Sequence, residues 1–147
     1  QVSFKLGVEP LSENFDTNFL YKKSRKINQP IKSWLMSGHP IEGIGNIYAS
    51  EALFRAGIDP STKSKNLGVV RSSRLVSTIK YVLSEAIRSG GSTIKDYSGI
   101  NGEPGNYSKK HLVYGKKNHI CSVCMKMLSI IMIGQRSSFY CRRCQKK

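Results

Sequence analysis

The sequence predicts a mainly α-helical chain closed by a small β-hairpin that a metal ion pins together. Three observations carry this prediction. Apolar residues recur at helical spacing in successive stretches as far as Ile87. Glycine and proline punctuate those stretches. The only four cysteines form two C-x2-C pairs near the end, Cys121/Cys124 and Cys141/Cys144, with sixteen residues between the pairs.

Residues 12–28 read as a helix opening near Ser12, with Phe15, Phe19 and Leu20 on one face. Pro30 begins a second helical stretch, since its fixed φ suits a first turn, and Ile31, Trp34 and Leu35 follow at i, i+3, i+4 spacing. Gly38, His39 and Pro40 break it, and Glu42-Gly43-Ile44-Gly45-Asn46 forms a tight glycine turn. Asn46 is a good N-cap for a third helix that buries Ile47, Leu53 and Ala56 and stops at Gly57, with Asp59-Pro60 beyond. The longest helix covers roughly residues 68–89, where Leu75, Val76, Ile79, Val82, Leu83, Ala86 and Ile87 share a face before Gly90-Gly91. Residues 98–107, with three Gly, one Pro and two Asn, read as a loop.

The cysteine spacing carries the sharpest chemistry. Each C-x2-C places two thiolates on one side of a tight turn, and two such knuckles supply the four soft ligands that tetrahedral zinc prefers. The spacing leaves two disulfides, a redox pair or inert buried thiols as alternatives. No secretion signal favours disulfides, and a redox pair needs no second pair at this distance. One structural Zn2+ on Cys121, Cys124, Cys141 and Cys144 leaves no open coordination position, so the metal should hold the fold rather than do chemistry. His119 is the histidine nearest the first knuckle, but four thiolates already fill the site. His39 and His111 read as exposed or loop residues, and Trp34 as core. Ser129–Ile133 and Ser138–Tyr140 form the strands, and Gly134-Gln135-Arg136-Ser137 the tip. Arg136 reads equally as a phosphate contact or as a solvated tip arginine.

Charge points to the partner. The 147 residues hold 24 Lys+Arg against 9 Asp+Glu, a net +15. Residues 1–60 carry 7 basic and 6 acidic side chains, residues 61–147 carry 17 and 3, so the second part should grip a polyanion, most often nucleic acid. No run approaches the ~20 apolar residues of a membrane span. The turn Gly43-Ile44-Gly45-Asn46 reads first as a plain interhelix turn. It also lets backbone amides at a helix start approach a phosphate, with Asn46 capping the helix or donating its amide.

Several strings then resemble one family in order and spacing. They are Leu6-Gly7-Val8-Glu9-Pro10-Leu11-Ser12, Ile31-Lys32-Ser33-Trp34-Leu35-Met36 and Gly43-Ile44-Gly45-Asn46-Ile47-Tyr48-Ala49-Ser50-Glu51. Gly90-Gly91-Ser92-Thr93-Ile94-Lys95-Asp96-Tyr97, Val113-Tyr114-Gly115, Gln135-Arg136-Ser137-Ser138-Phe139-Tyr140-Cys141 and Cys144-Gln145 follow. The chain resembles the C-terminal half of bacterial formamidopyrimidine-DNA glycosylases nearly end to end. The resemblance implies a helix–two-turn–helix domain over residues 1–111, a lesion-covering loop at about 98–108, and a β-hairpin zinc finger over 112–147.

It also implies DNA contacts by Asn46, Gly45, Tyr48 and Arg136, with Arg136 the proton donor in δ-elimination. Lys26 or Lys32 would stand in for a DNA-contacting lysine that relatives carry just before the Ile31-Lys32 pair. The implied partner is double-stranded DNA with an oxidised base or abasic site, bound by a cytoplasmic monomer without membrane contact. In the family an N-terminal proline amine attacks the deoxyribose C1′, helped by a glutamate and a lysine of a β-sandwich domain. Gln1-Val2-Ser3 does not match that start, so this chain alone is expected to bind damaged DNA weakly and not to excise a base. The neighbouring readings are an endonuclease VIII-type glycosylase for oxidised pyrimidines, a non-catalytic zinc-ribbon nucleic-acid-binding module, and a ribosomal protein with a similar Gly-Ile-Gly turn. Val113-Tyr114-Gly115 and the loop before it favour the purine branch.

Overall fold

The computed structural model describes residues 7–89 and 111–147; the loop expected at about 98–108 lies outside them. The elements are α1 (Thr17–Ser24), α2 (Ile31–Met36), α3 (Asn46–Ala56), a 3-10 turn (Ser64–Asn66), α4 (Val69–Arg88), β1 (Ser129–Ile133) and β2 (Arg136–Tyr140). The described residues are thus mainly helical, with one antiparallel hairpin after them.

α1 starts later than the spacing suggested. Asp16, not Ser12, caps it, accepting the Phe19 amide at 2.8 Å. Ser12 instead closes a turn onto the Glu9 carbonyl. Phe15 before the cap and Leu20 in the next turn are both fully buried, the arrangement of a hydrophobic staple. α2 follows Pro30 as expected, and its first two amides bond out to Thr62 and Pro60.

α3 is capped by Gly45 rather than Asn46, which is the first helical residue. Its far end is a left-handed stop. Gly57 has φ +74°, and the Ile58 amide reaches back to the Leu53 carbonyl at 3.0 Å. α4 buries Leu75, Val76, Ile79, Val82, Leu83 and Ala86 as its periodicity requires. Ile87, assigned to that face from the sequence, is 70% exposed, because the buried stripe narrows to Ala86 in the last turn.

α3 and α1 both pack against α4, and α2 packs against α3. Their apolar faces make one core of residues including Leu35, Ile41, Leu53, Leu67 and Ile79; Trp34 belongs to it, and Ile47 is only half-buried. A smaller cluster under the hairpin joins Val113, Cys121, Leu128 and Cys141 to Phe54 of α3. One helix therefore feeds both cores.

Gly57→Ala tests the α3 stop. An added Cβ meets only the Cys144 carbonyl at 3.5 Å and the Arg74 guanidinium at 3.8 Å, so the cost is conformational. We expect a loss of about 1 kcal/mol in chemical denaturation, and unchanged stability would contradict the left-handed cap.

Candidate nucleic-acid interface and metal centre

The four cysteine sulfurs lie within 4.8 Å of one another. Cys121 Sγ is 3.8 Å from Cys144 Sγ, and Cys124 Sγ is 3.4 Å from Cys141 Sγ, too far for disulfides. A tetrahedron of ligands at ~2.3 Å from a metal has edges of about 3.8 Å, so the cluster fits a four-thiolate metal site. Burial, and hydrogen bonds among the sulfurs, push the Cys144 thiol up to about 12, whereas the Lys126 amide helps bring Cys124 down to about 7. Four thiolates this close repel one another, and a cation removes that cost. Amides of the two knuckles already point at sulfur, Val123 N–H to Cys121 at 3.3 Å and Cys144 N–H to Cys141 at 3.4 Å.

The hairpin is tighter than expected. β2 begins at Arg136, which pairs with Ile133, so the turn is Gly134-Gln135 alone and Ser137 lies in the strand. Arg136 is an exposed strand residue with a fixed backbone, not part of a loose tip. Lys32 holds this strand from behind. It is 1% exposed, and its Nζ donates to Ser138 Oγ at 2.7 Å and to the Ser137 carbonyl at 3.2 Å. Burial, reinforced by the Arg136 charge, lowers the Lys32 pKa to about 8. The resemblance offered Lys32 as a possible DNA contact; the structure buries it and directs its ammonium into the hairpin. Lys32, Ser33, Gln135 and Arg136 border a cavity of about 210 Å³ between α2 and the turn.

Gly45, Asn46 and Tyr48 stand at the start of α3. Gly45 has φ −107°, which any residue adopts, and a Cβ there would meet nothing within 4 Å. Neither backbone strain nor packing requires a glycine. Asn46 Oδ1 is buried without a hydrogen-bond partner among the described residues. Tyr48 is half-buried against the helical core. Lys26 is exposed just beyond α1, next to Arg25, whose guanidinium stacks on Tyr21 and bonds the Leu67 carbonyl.

Sequence reading gave Glu51 no role. Its side chain is fully buried in α3. Oε1 accepts the Leu112 amide at 2.8 Å, and Oε2 accepts those of Val113 and Tyr114 at 2.9 and 2.7 Å. Arg55, one turn on, pairs with Oε1 at 2.6 Å. The signal was present: a lone carboxylate inside Ala49-Ser50-Glu51-Ala52-Leu53-Phe54 has to find donors if that run is buried. Tyr114, held by this carboxylate, sets its ring edge-on to Phe139 of β2 at 5.4 Å. His111, read as exposed or in a loop, lies outside the named helices and strands but is buried, and burial lowers its pKa.

The buried ammonium makes a pH prediction. Above about 8 the folded chain sheds the Lys32 proton while the unfolded chain keeps it to 10.5. The unfolded state then binds more protons, so unfolding free energy rises with pH across that window. The stability of the wild type relative to Lys32→Met should be flat below about 8 and rise from there toward 10.5 in urea denaturation. A flat or falling difference in that window would contradict the burial of a charged Lys32.

Comparison with known proteins places this geometry. Residues 6–98 match the family described as the formamidopyrimidine-DNA glycosylase H2TH domain. The formamidopyrimidine-DNA glycosylase of Histophilus somni (strain 2336) is 48% identical over 144 residues, covering 98% of this chain and 53% of that protein. The MutM (Fpg) protein of Thermus thermophilus superposes with a TM-score of 0.87 at 35% identity, over 96% of this chain and 54% of that one. The Lactococcus lactis Fpg, solved with abasic site containing DNA, gives 0.88 at 34% identity, over 97% and 52%. The chain thus spans about half the length of the relatives it matches. With the helical scaffold, the four-cysteine hairpin and the sequence agreeing over nearly its whole length, this chain belongs to the formamidopyrimidine-DNA glycosylase family.

Proposed function

We propose that this chain is the DNA-gripping part of a bifunctional DNA glycosylase/AP lyase of base-excision repair. The full enzyme removes oxidised purines, 8-oxoguanine and formamidopyrimidine, and nicks the abasic strand by β,δ-elimination. The observation that carries the reading is Arg136. It is an exposed guanidinium on the first residue of a strand, held from behind by the buried Lys32 ammonium. Such an arginine presents paired donors to a phosphate with little conformational freedom to lose. The Fpg and MutM structures solved with Fapy-dG or carbocyclic 8-oxo-G containing DNA support the lesion class.

The start of α3 supplies the second grip. The first N–H groups of a helix have no partners within it, and the open space at Gly45 lets a phosphate approach them. Asn46, with its carbonyl end buried, offers its amide nitrogen to the same oxygen. Tyr48 lines this turn, and Lys26 gives an outer backbone contact. Lys32 acts through the hairpin, by fixing Arg136, which also donates the proton in δ-elimination. A damaged base must leave the stack before chemistry, and two backbone contacts offset part of that cost of a few kcal/mol. We assign Zn2+ to Cys121, Cys124, Cys141 and Cys144, where it is structural because four thiolates fill its coordination. The enzyme works as a monomer among DNA in the bacterial cytoplasm. No described helix is long and apolar enough to cross a membrane.

Binding to a duplex with a tetrahydrofuran abasic analogue tests the reading by fluorescence anisotropy. Arg136→Gln should weaken binding by roughly ten- to a hundredfold, the range for a lost charged hydrogen bond. Gly45→Ala should weaken it while changing stability by no more than about 1 kcal/mol. Wild-type affinity in both variants would overturn the proposal. Chelation should abolish both the hairpin's near-UV signal and DNA binding, and retention of both after metal removal would contradict the structural zinc.

A further inference from the structure

The hairpin carries positive charge at both ends. Arg136 stands beside the turn, and Tyr140 lies at the opposite end of β2, four residue steps or ~13 Å away. Beyond it lies a shallow groove of about 550 Å³ lined by Lys126, Met127, Leu128, Ser129, Arg142 and Arg143. The metal knuckles present its three cations. Arg142 and Arg143 occupy the turn between Cys141 and Cys144, and the Lys126 carbonyl is fixed by the Cys121 amide at 2.7 Å. All three side chains are exposed, and no described carboxylate lies within ion-pair distance of them.

Three like charges on rigid turns repel one another, and an arriving anion relieves that repulsion. The shape selects the anion. An open groove admits a chain running through it, and guanidinium forks match phosphate oxygens. The groove lies past the far end of the strand that begins at Arg136. We propose that Lys126, Arg142 and Arg143 hold the phosphodiester backbone of the bound duplex away from the lesion, as a second contact separate from Arg136. The inference rests on the DNA-binding reading above. The groove fixes position on the duplex and reads no bases.

Salt dependence of affinity for a duplex of about 30 base pairs with an abasic analogue tests it, using the metal-loaded chain. Each phosphate contact adds about 0.9 to the slope of log affinity against log salt, so Arg142→Gln/Arg143→Gln should lower the slope by roughly 1 to 2. Lys22→Gln/Lys23→Gln, exposed on α1, removes the same charge and should lower it by less than about 0.5. The preference for abasic over intact duplex should be unchanged in the arginine pair. Equal slope changes in the two pairs, or none, with Arg136→Gln still impaired, overturn the groove and leave the DNA reading standing. Wild-type affinity in both Arg136→Gln and Gly45→Ala removes the DNA reading and the groove with it. An unchanged slope together with lost binding of an oligoglutamate peptide overturns the proposal in favour of an acidic protein partner.

Discussion

A single buried carboxylate joins the two halves of this molecule. Glu51 lies inside α3, and its oxygens take the backbone amides of Leu112, Val113 and Tyr114, the segment that leads into the cysteine knuckles. A charge with no exposure is tolerable only when its lone pairs are filled, and here three amides and Arg55 fill them. Two further seams join the same bodies. Gln145 accepts the Cys141 amide at 2.7 Å and donates to the Ile58 carbonyl at 2.9 Å, which pins the end of the chain to the stop of α3. Lys32 reaches from α2 to Ser138. The small hairpin has little core of its own, so these polar ties and the thiolate cluster fix where it stands.

Their common consequence is preorganisation. α3 contributes its N-terminus to one proposed phosphate contact and, through Glu51 and Phe54, anchors the module that bears the other. Arg136 and the open turn at Gly45 are thereby fixed to one scaffold, so the proposed grip on DNA would order few side chains. The charge asymmetry fits this division. The nearly neutral first sixty residues offer backbone amides, and the strongly basic remainder offers guanidinium groups.

Local rules made much of the architecture legible. The α4 stripe, the Gly57 stop and the cysteine knuckles appear where periodicity and spacing put them, because each depends on neighbours a few residues away. The cap of α1 moved from Ser12 to Asp16, and that of α3 from Asn46 to Gly45, since rival cap residues stand close together in both places. The missed features are long-range. Lys32 meets Ser138 across 106 positions, and Glu51 meets Val113 across 62, so local pattern can show that a buried Glu51 needs donors but names the partner of neither residue. The burial of Lys32, offered by the resemblance as a DNA contact, belongs to this class.

Amide hydrogen exchange of the metal-loaded chain, with and without abasic-site duplex, tests the two-point grip most directly. The account predicts added protection in the first turn of α3, at residues 46–48, and around the hairpin turn at residues 134–137, with the buried middle of α4 unchanged. Protection elsewhere with both of these segments unaffected would contradict it.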